Sequence, residues 1–344
     1  MSGGIDSAVA ALIAIKAGYD VWGATMKLCP KLDENGNDLS LQDIADARAV
    51  CEKLGIEHSV YELEDRFHET VIRDFIETYI TGGTPNPCIV CNKLLKFGIL
   101  LDKAIENGAD LIATGHYARI EKREDGRYLL KKAADEQKDQ TYMLWSLSQY
   151  QLAHTVFPLG DLTKPQIRKM GEDHGFVIAH KSDSQDICFV PDGDYASFIE
   201  QELGEKYPAG DYVDEDGNIL GRHKGIIHYT IGQRKGLGIS IGRHIFVTKK
   251  DAETNRVTLA DEDRLFTRTV VIKGINLIPF DKIDGRIRVK AKIRYRHAES
   301  DAFAEQTGED EITLTFDEPQ RAPAKGQSAV MYDGDYVIGG GIIQ

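Results

Sequence analysis

Within the first 115 residues, short apolar runs alternate with longer segments of helical period, and this rhythm narrows the folds open to the chain more than any other feature. A helix is expected directly after Ser7, stopping at Gly18, with an apolar strand at 21–26 behind it. Helices at 41–54, 65–80 and 93–107 then alternate with strands at 58–63 and 111–114, and a polar loop occupies 33–38. Strands separated by helices cannot close as hairpins. They imply an α/β fold with a doubly wound parallel sheet, whose ligands bind beyond the carboxyl ends of the strands.

The texture changes after Gly115. A hairpin turns at Asp125-Gly126, Lys138-Asp139-Gln140 precedes a helix-like run ending near Leu147, and Thr163 with Pro165 caps a helix that stops at Gly175. Beyond Cys188 the chain is rich in strand patterns, with Asp-Gly turns at Asp216-Gly217 and Asp333-Gly334. Three domains are expected: residues 1–197 carrying catalysis, a small β-rich central domain at 198–268, and a C-terminal antiparallel β-barrel at 269–344.

The 344 residues, 42% of them hydrophobic, suffice for a buried core in each part. No apolar run reaches membrane-spanning length and no basic leader opens the chain, so the expected location is the cytoplasm and no membrane partner is expected. The formal charge of −13 argues against general polyanion binding but not against a local cationic surface. Five cysteines, an odd number, do not make a disulfide framework; they read as core thiols, metal ligands or catalytic groups.

Three features carry chemistry. Ser2-Gly3-Gly4-Ile5-Asp6-Ser7 is a serine- and glycine-rich loop opening a helix, where backbone N–H groups and the helix dipole favour a phosphate. Asp6 fits beside a phosphate if a divalent cation such as Mg²⁺ lies between them. Cys88 and Cys91 form a C-x-x-C unit at the start of a helix, where the dipole lowers a thiol pKa, so a thiolate nucleophile is one reading. The competing reading adds Cys188 as a third ligand of an iron–sulfur cluster, whereas Cys29 and Cys51 read as buried hydrophobes. Finally, positions 286, 288, 290, 292, 294 and 296 are all cationic, and a strand would place them on one face, a row suited to nucleic-acid phosphates. Arg294-Tyr295 adds a guanidinium beside a ring, suited to unpaired bases.

At this point the sequence resembles a known family. Residues 2–7 are similar to the PP-loop of ATP pyrophosphatases. The stretches 86–93 (Asn-Pro-Cys-Ile-Val-Cys-Asn-Lys), 113–117 (Ala-Thr-Gly-His-Tyr), 138–140, 183–189 (Asp-Ser-Gln-Asp-Ile-Cys-Phe), 229–238 (Tyr-Thr-Ile-Gly-Gln-Arg-Lys-Gly-Leu-Gly) and 339–343 resemble the tRNA-specific 2-thiouridylases, the MnmA family. The resemblance implies a sulfurtransferase that thiolates C2 of the wobble uridine in the tRNAs for Lys, Glu and Gln. ATP adenylates the C2 oxygen, and a persulfide on Cys188, received from a cysteine desulfurase or a relay protein, replaces it. Cys91 would resolve the persulfide or form a transient disulfide with Cys188. Ser2, Gly3, Gly4, Ile5, Asp6, Ser7, Met26 and Gly115 would hold ATP; Asn86, Pro87 and Cys88 would approach the target base; His116, Lys138, Asp139, Gln140, Arg294, Tyr295 and Gln327 would touch tRNA. Some members carry Asp where this chain has Cys88, a position proposed as base or cluster ligand. The family's loop follows a buried first strand, whereas Met1 already stands in the loop. The expectation is a natural chain that begins upstream, or a copy that binds ATP poorly; the alternative function is a tRNA-binding protein with impaired ATP turnover, or another PP-loop tRNA-modifying enzyme.

Overall fold

The computed structural model describes residues 1–30, 38–180, 187–239 and 242–344. The polar loop expected at 33–38 lies outside them up to residue 37, as do Asp183, Ser184, Gln185 and Asp186. The chain divides into two compact units.

The first unit comprises Met1–Val71, Cys88–Pro191 and Asp335–Val337. Its helix Ile5–Lys16 is nearly all alanine and aliphatic residues, with Ala8, Val9, Ala10 and Leu12 buried. Small side chains let the helix Lys164–Asp173 approach closely: a methyl on Gly171 would collide with Ile5. Val50, Leu159, Ile167 and Phe176 complete that core. Strands Gly23–Lys27 and His58–Glu62 pair in parallel across the helix Leu39–Leu54, and Ile112–Ala113 pairs in parallel with Thr155–Val156 across a connection that holds the hairpin Arg119–Lys122 and Tyr128–Lys131 and the short helix Gln149–Ala153. Helix Leu39–Leu54 is capped by the Asp38 carboxylate on the Ser40 N–H and ends at Gly55, whose φ of +69° is the left-handed conformation glycine supplies.

Two segments depart from expectation. The helix expected from 93 starts earlier: Pro87–Cys91 is α-helical, Asn92–Ile99 winds as wider π-helical turns, and Leu100–Glu106 is α-helical again. Pro87, without an N–H, costs nothing in a first turn. The helix-like run to Leu147 is instead a single 3₁₀ turn, Thr141–Met143. Thr141, Tyr142, Leu144, Trp145, Ser146 and Leu147 are all buried, so the segment has no solvent face to give a helical period meaning.

The second unit comprises Ile72–Pro87, Asp192–Gly334 and Ile338–Gln344. Helices Arg73–Ile80 and Tyr195–Leu203 meet through Phe75, Tyr79, Tyr195 and Phe198, whose ring centroids lie 6.0–6.2 Å apart across the contact. A four-stranded sheet runs in the order Ile219–His223, Gly210–Val213, Arg256–Ala260, Phe246–Asp251. A six-stranded antiparallel barrel follows in the order Phe266–Leu277, Glu311–Arg321, Ser300–Gly308, Arg286–Lys292, Ser328–Asp333 and the last strand, which pairs back with the first. Val289, Ala291, Leu314, Phe316 and Met331 fill it. Helix Tyr195–Leu203 spans residue 197 and strand Phe266–Leu277 spans residue 268. No described helix is long and apolar enough to cross a membrane.

Candidate active site

The glycine loop at residues 2–7 is held by its own hydroxyls. Ser7 Oγ donates to the Gly4 carbonyl (2.9 Å) and accepts from the Ser2 N–H (3.1 Å). Gly3 has φ +68°, and a methyl group there would lie 2.5 Å from the Asp43 carbonyl oxygen, so both the turn and the close approach require glycine. Gly4 is the N-cap of the helix at Ile5 and offers it no side-chain cap hydrogen bond. From the other side, Gly115 presses backbone against backbone: a methyl there would lie 2.7 Å from the Asp6 carbonyl carbon and 2.8 Å from the Ser7 nitrogen. The 113–117 motif and the loop are therefore one site. Met26 is half-buried in the strand Gly23–Lys27.

The Asp6 carboxylate is engaged by two side chains. Lys164 Nζ reaches both of its carboxylate oxygens, at 2.8 and 2.9 Å, and the Tyr117 hydroxyl donates to Oδ1 at 2.8 Å. Lys164 is only 6% exposed, and its own N–H donates to Asp135. The cation that Asp6 requires is thus a lysine 158 residues away. Lys164 and Tyr117 thus engage the carboxylate beside which the sequence suggested Mg²⁺. Among the described residues no group of three or more His, Cys, Asp or Glu is arranged to hold a metal. Lys164 carries no sequence signal of this role, because Thr163-Lys164-Pro165-Gln166 signals a helix start, which it also is.

The three thiols lie close enough for their charges to interact. Cys88 and Cys91 stand on the first helical turns after Pro87, and the charge of Cys188, about a hundred residues on, raises the pKa of both. Cys188 is exposed, anchored by the buried Phe189, whose ring meets Phe67 edge-on at 5.5 Å. Among the described residues no disulfide joins any of the five cysteines. The helix start does not make thiolates here: desolvation dominates, raising Cys88 and pushing Cys91 up to about 12, against a smaller opposing effect of the Lys96 ammonium. Lys96, which no sequence pattern marks, donates to Asn92 Oδ1 (3.0 Å) and lies 3.5 Å from His116 Nε2. At pH 7.5 the thiolate fraction of Cys91 is on the order of 10⁻⁴ to 10⁻⁵. Alkylation of Cys91, followed by peptide mass spectrometry, should therefore be slow and rise about tenfold per pH unit between pH 7 and 9. Labelling at pH 7 as fast as a free cysteine would contradict this.

Several residues assigned to tRNA by resemblance make contacts within the protein. His116 bonds Thr114 through Nδ1 (2.8 Å) and packs against Phe97 and Phe157; burial holds it well below the usual imidazole range. Asp139 is buried, accepting from the Ala133 N–H and the Thr141 hydroxyl, while Gln140 Oε1 accepts from the Tyr117 N–H. Lys138 and Asn86 are half-buried.

In the second unit the cationic row is shorter than expected and largely neutralised: the strand is Arg286–Lys292, so Arg294 and Arg296 lie beyond its end. The alternation holds, with Val289, Ala291 and Ile293 buried. Arg288, however, pairs with Asp317 and Asp301, Lys290 with Asp301, and Lys292 with Glu299; Arg286 lies over the Phe303 ring. Arg294 turns inward to the Ala322 and Ile231 carbonyls, with Tyr295 half-buried behind it, and Gln327 donates to the Thr84 and Pro85 carbonyls. A second gathering of cations surrounds a cleft of about 840 Å³ lined by Arg234, Lys235, Arg243, His244 and Arg321. Arg243 and Arg321 pair with Asp261 and Glu262. Arg234 and Lys235 are exposed and make no ion pair among the described residues.

Comparison with known proteins covers the whole chain. Residues 1–192 match the family described as tRNA methyl transferase HUP domain, 196–261 its PRC-barrel domain, and 267–343 the aminomethyltransferase beta-barrel domain. The chain is 49% identical over 350 residues to a protein of Acetivibrio thermocellus named tRNA-specific 2-thiouridylase MnmA, covering 100% of this chain and 98% of the relative. Proteins of the same name from Clostridioides difficile (49%) and Treponema denticola (47%) each align with 100% of this chain and 96% of their own length.

Proposed function

The chain belongs to the tRNA-specific 2-thiouridylase (MnmA) family, and from that premise we propose that it is the ATP-dependent sulfurtransferase that thiolates C2 of the wobble uridine in the tRNAs for Lys, Glu and Gln. The observation that carries the reading is the gathering of Cys88, Cys91 and Cys188 in the same compact unit as the phosphate loop and Gly115. The alternative of a tRNA-binding protein without turnover is disfavoured, since such a protein has no use for that thiol set.

The chemistry follows from what an amide-like oxygen lacks, a good leaving group. The C2 oxygen attacks the α-phosphorus of ATP and pyrophosphate departs, while the loop at residues 2–7, with Met26 and Gly115 beside it, holds the nucleotide. The terminal sulfur of a Cys188 persulfide then attacks C2, and AMP leaves with the oxygen. Cys91 attacks the Cys188 sulfur, so the S–S bond of the persulfide breaks, the sulfur stays on the base, and a Cys91–Cys188 disulfide forms for a thiol reductant to open. Lys96 favours the thiolates. Asn86, Pro87 and Cys88 face the base. Mg²⁺ would accompany the ATP phosphates and offset their charge. The sulfur comes from a cysteine desulfurase, directly or through a relay, and the reaction runs in the cytoplasm. The division at 1–197, 198–268 and 269–344 separates catalysis from two tRNA-contacting parts; Arg294 and Tyr295 serve that contact when tRNA draws them outward, with His116, Lys138, Asp139 and Gln140 behind the base site.

The reading is tested by expressing the chain in a thiolase-deficient strain and measuring wobble uridine by mass spectrometry. Restored 2-thiouridine is expected, and none at all would end the proposal. The cleft adds a second check. Replacing Arg234 and Lys235 together by Ala should weaken tRNA binding at every sequence and lower the slope of log K against log salt by about 2, one for each phosphate no longer neutralised. An unchanged slope would remove the cleft from the tRNA path.

A further inference from the structure

Lys250 is a half-buried ammonium that pairs with no acid among the described residues. From the strand Phe246–Asp251 its Nζ donates to the Gly83 carbonyl (3.0 Å) and the Tyr229 carbonyl (2.8 Å) and stands 5.7 Å from the centre of the Tyr79 ring. Among the described residues it makes no ion pair, and burial lowers its pKa to about 8. Such a cation is costly to bury and makes sense where it fixes something.

What it fixes is the segment that runs into Cys88. Beyond Gly83, the Thr84 N–H donates to the Lys325 carbonyl at 2.7 Å, and Gln327 Nε2 donates to the Thr84 and Pro85 carbonyls at 3.0 and 2.9 Å. Gln327 is fixed in turn, for its carbonyl accepts from the Ile343 N–H at 2.8 Å. The packing leaves no slack. A methyl on Gly83 would lie 2.7 Å from Thr78 Cγ2, and one on Gly326 would lie 3.0 Å from the Thr84 carbonyl oxygen. Three consecutive residues therefore have their backbone groups taken immediately before Asn86, Pro87 and Cys88.

We propose that Lys250 and Gln327 are positioning residues that clamp the 83–85 backbone, so that Asn86 and Cys88 meet the target base in one fixed arrangement. Gln327 thereby acts on the loop rather than directly on tRNA. A flexible loop at this place would spread Cys88 over many positions, and reactions sensitive to misplacement of about 1 Å slow by roughly 10²-fold.

The proposal rests on the thiolation reading for its kinetic arm only. Full-length Lys250→Met and Gln327→Ala are compared with the parent chain in three ways: kcat and KM for thiolation, tRNA affinity, and the iodoacetamide labelling rate of Cys88 in the absence of tRNA and ATP. Each variant is expected to lower kcat roughly 10- to 100-fold, leave the KM for ATP and tRNA affinity within about twofold, and label Cys88 several-fold faster. Lys250→Arg, which keeps a donor cation, should recover part of kcat and the slow labelling, and it stands in if the methionine variant does not fold. Weaker tRNA binding by Gln327→Ala with Cys88 labelling unchanged would overturn the clamp in favour of direct tRNA contact. Unchanged labelling in both variants would overturn it whatever the kinetics. A parent chain that forms no 2-thiouridine would instead sink the thiolation reading, and the labelling arm would still decide the clamp.

Discussion

Cys188→Ser is expected to leave tRNA and ATP binding intact and to abolish 2-thiouridine, lowering single-turnover thiolation by on the order of 10³-fold or more, the scale on which loss of a covalent nucleophile acts. The side chain is exposed, so exchanging sulfur for oxygen leaves no cavity and stability should not change measurably. Its neighbour Phe189 does the anchoring, packed against Phe67, and stays in place. The control is Cys51→Ala. Cys51 is 1% exposed in the helix Leu39–Leu54 and should cost some stability through its lost packing but not thiolation. Quantifying 2-thiouridine and tRNA affinity side by side checks both. Activity surviving in the serine variant, or loss through failed tRNA binding, would remove Cys188 from the chemistry.

Lys164→Met should be the most damaging change at the nucleotide site. It removes the only cation bonded to Asp6 among the described residues and leaves that carboxylate at the helix start, where phosphates are to bind. Breaking a buried pair of this kind costs about 3–5 kcal/mol. The lower end applies, because the Asp6 side chain keeps 30% of its surface in solvent and Tyr117 still donates to it. ATP affinity should fall by roughly 10²-fold, from repulsion between the bare carboxylate and the phosphates. Adding Asp6→Asn should return much of the lost thermal stability. If Lys164 only neutralises Asp6, the double variant regains ATP affinity as well; if its ammonium also meets the phosphates, affinity stays low. Calorimetric ATP titration and thermal melting of the single and double variants separate the two. A single variant that bound ATP normally would contradict both.

Much of the architecture is legible in local signals. Gly18, Gly55 and Gly175 end helices with φ of +88°, +69° and +63°, and Gly126 turns the hairpin at +90°, because only glycine adopts these conformations cheaply. The Thr163 capping box with Pro165 opens its helix as expected. The run at 141–147 misleads because it is buried on all sides, which removes the polar face that helical periodicity depends on. The site is legible where glycine and cysteine mark it. It is illegible wherever a role depends on a distant partner: in sequence Lys164 belongs to a helix start, and no pattern marks Lys96 or Lys250.

The phosphate loop shows the division most plainly. By itself the sequence determined that residues 2–7 form a glycine turn opening a helix, since backbone preference and helix capping act over a few residues. It likewise determined the alternation that places charges outward and aliphatic residues inward at 286–293. Only the tertiary structure decided what those charges meet. Asp6 found a lysine, Arg288 and Lys290 found Asp301 on the neighbouring strand, and desolvation rather than the helix dipole set the thiols of Cys88 and Cys91. The physical reason is range. Dihedral preference is spent within a turn or a strand pair, whereas charge and desolvation are set by whatever the fold brings within a few ångströms, however far away it lies along the chain.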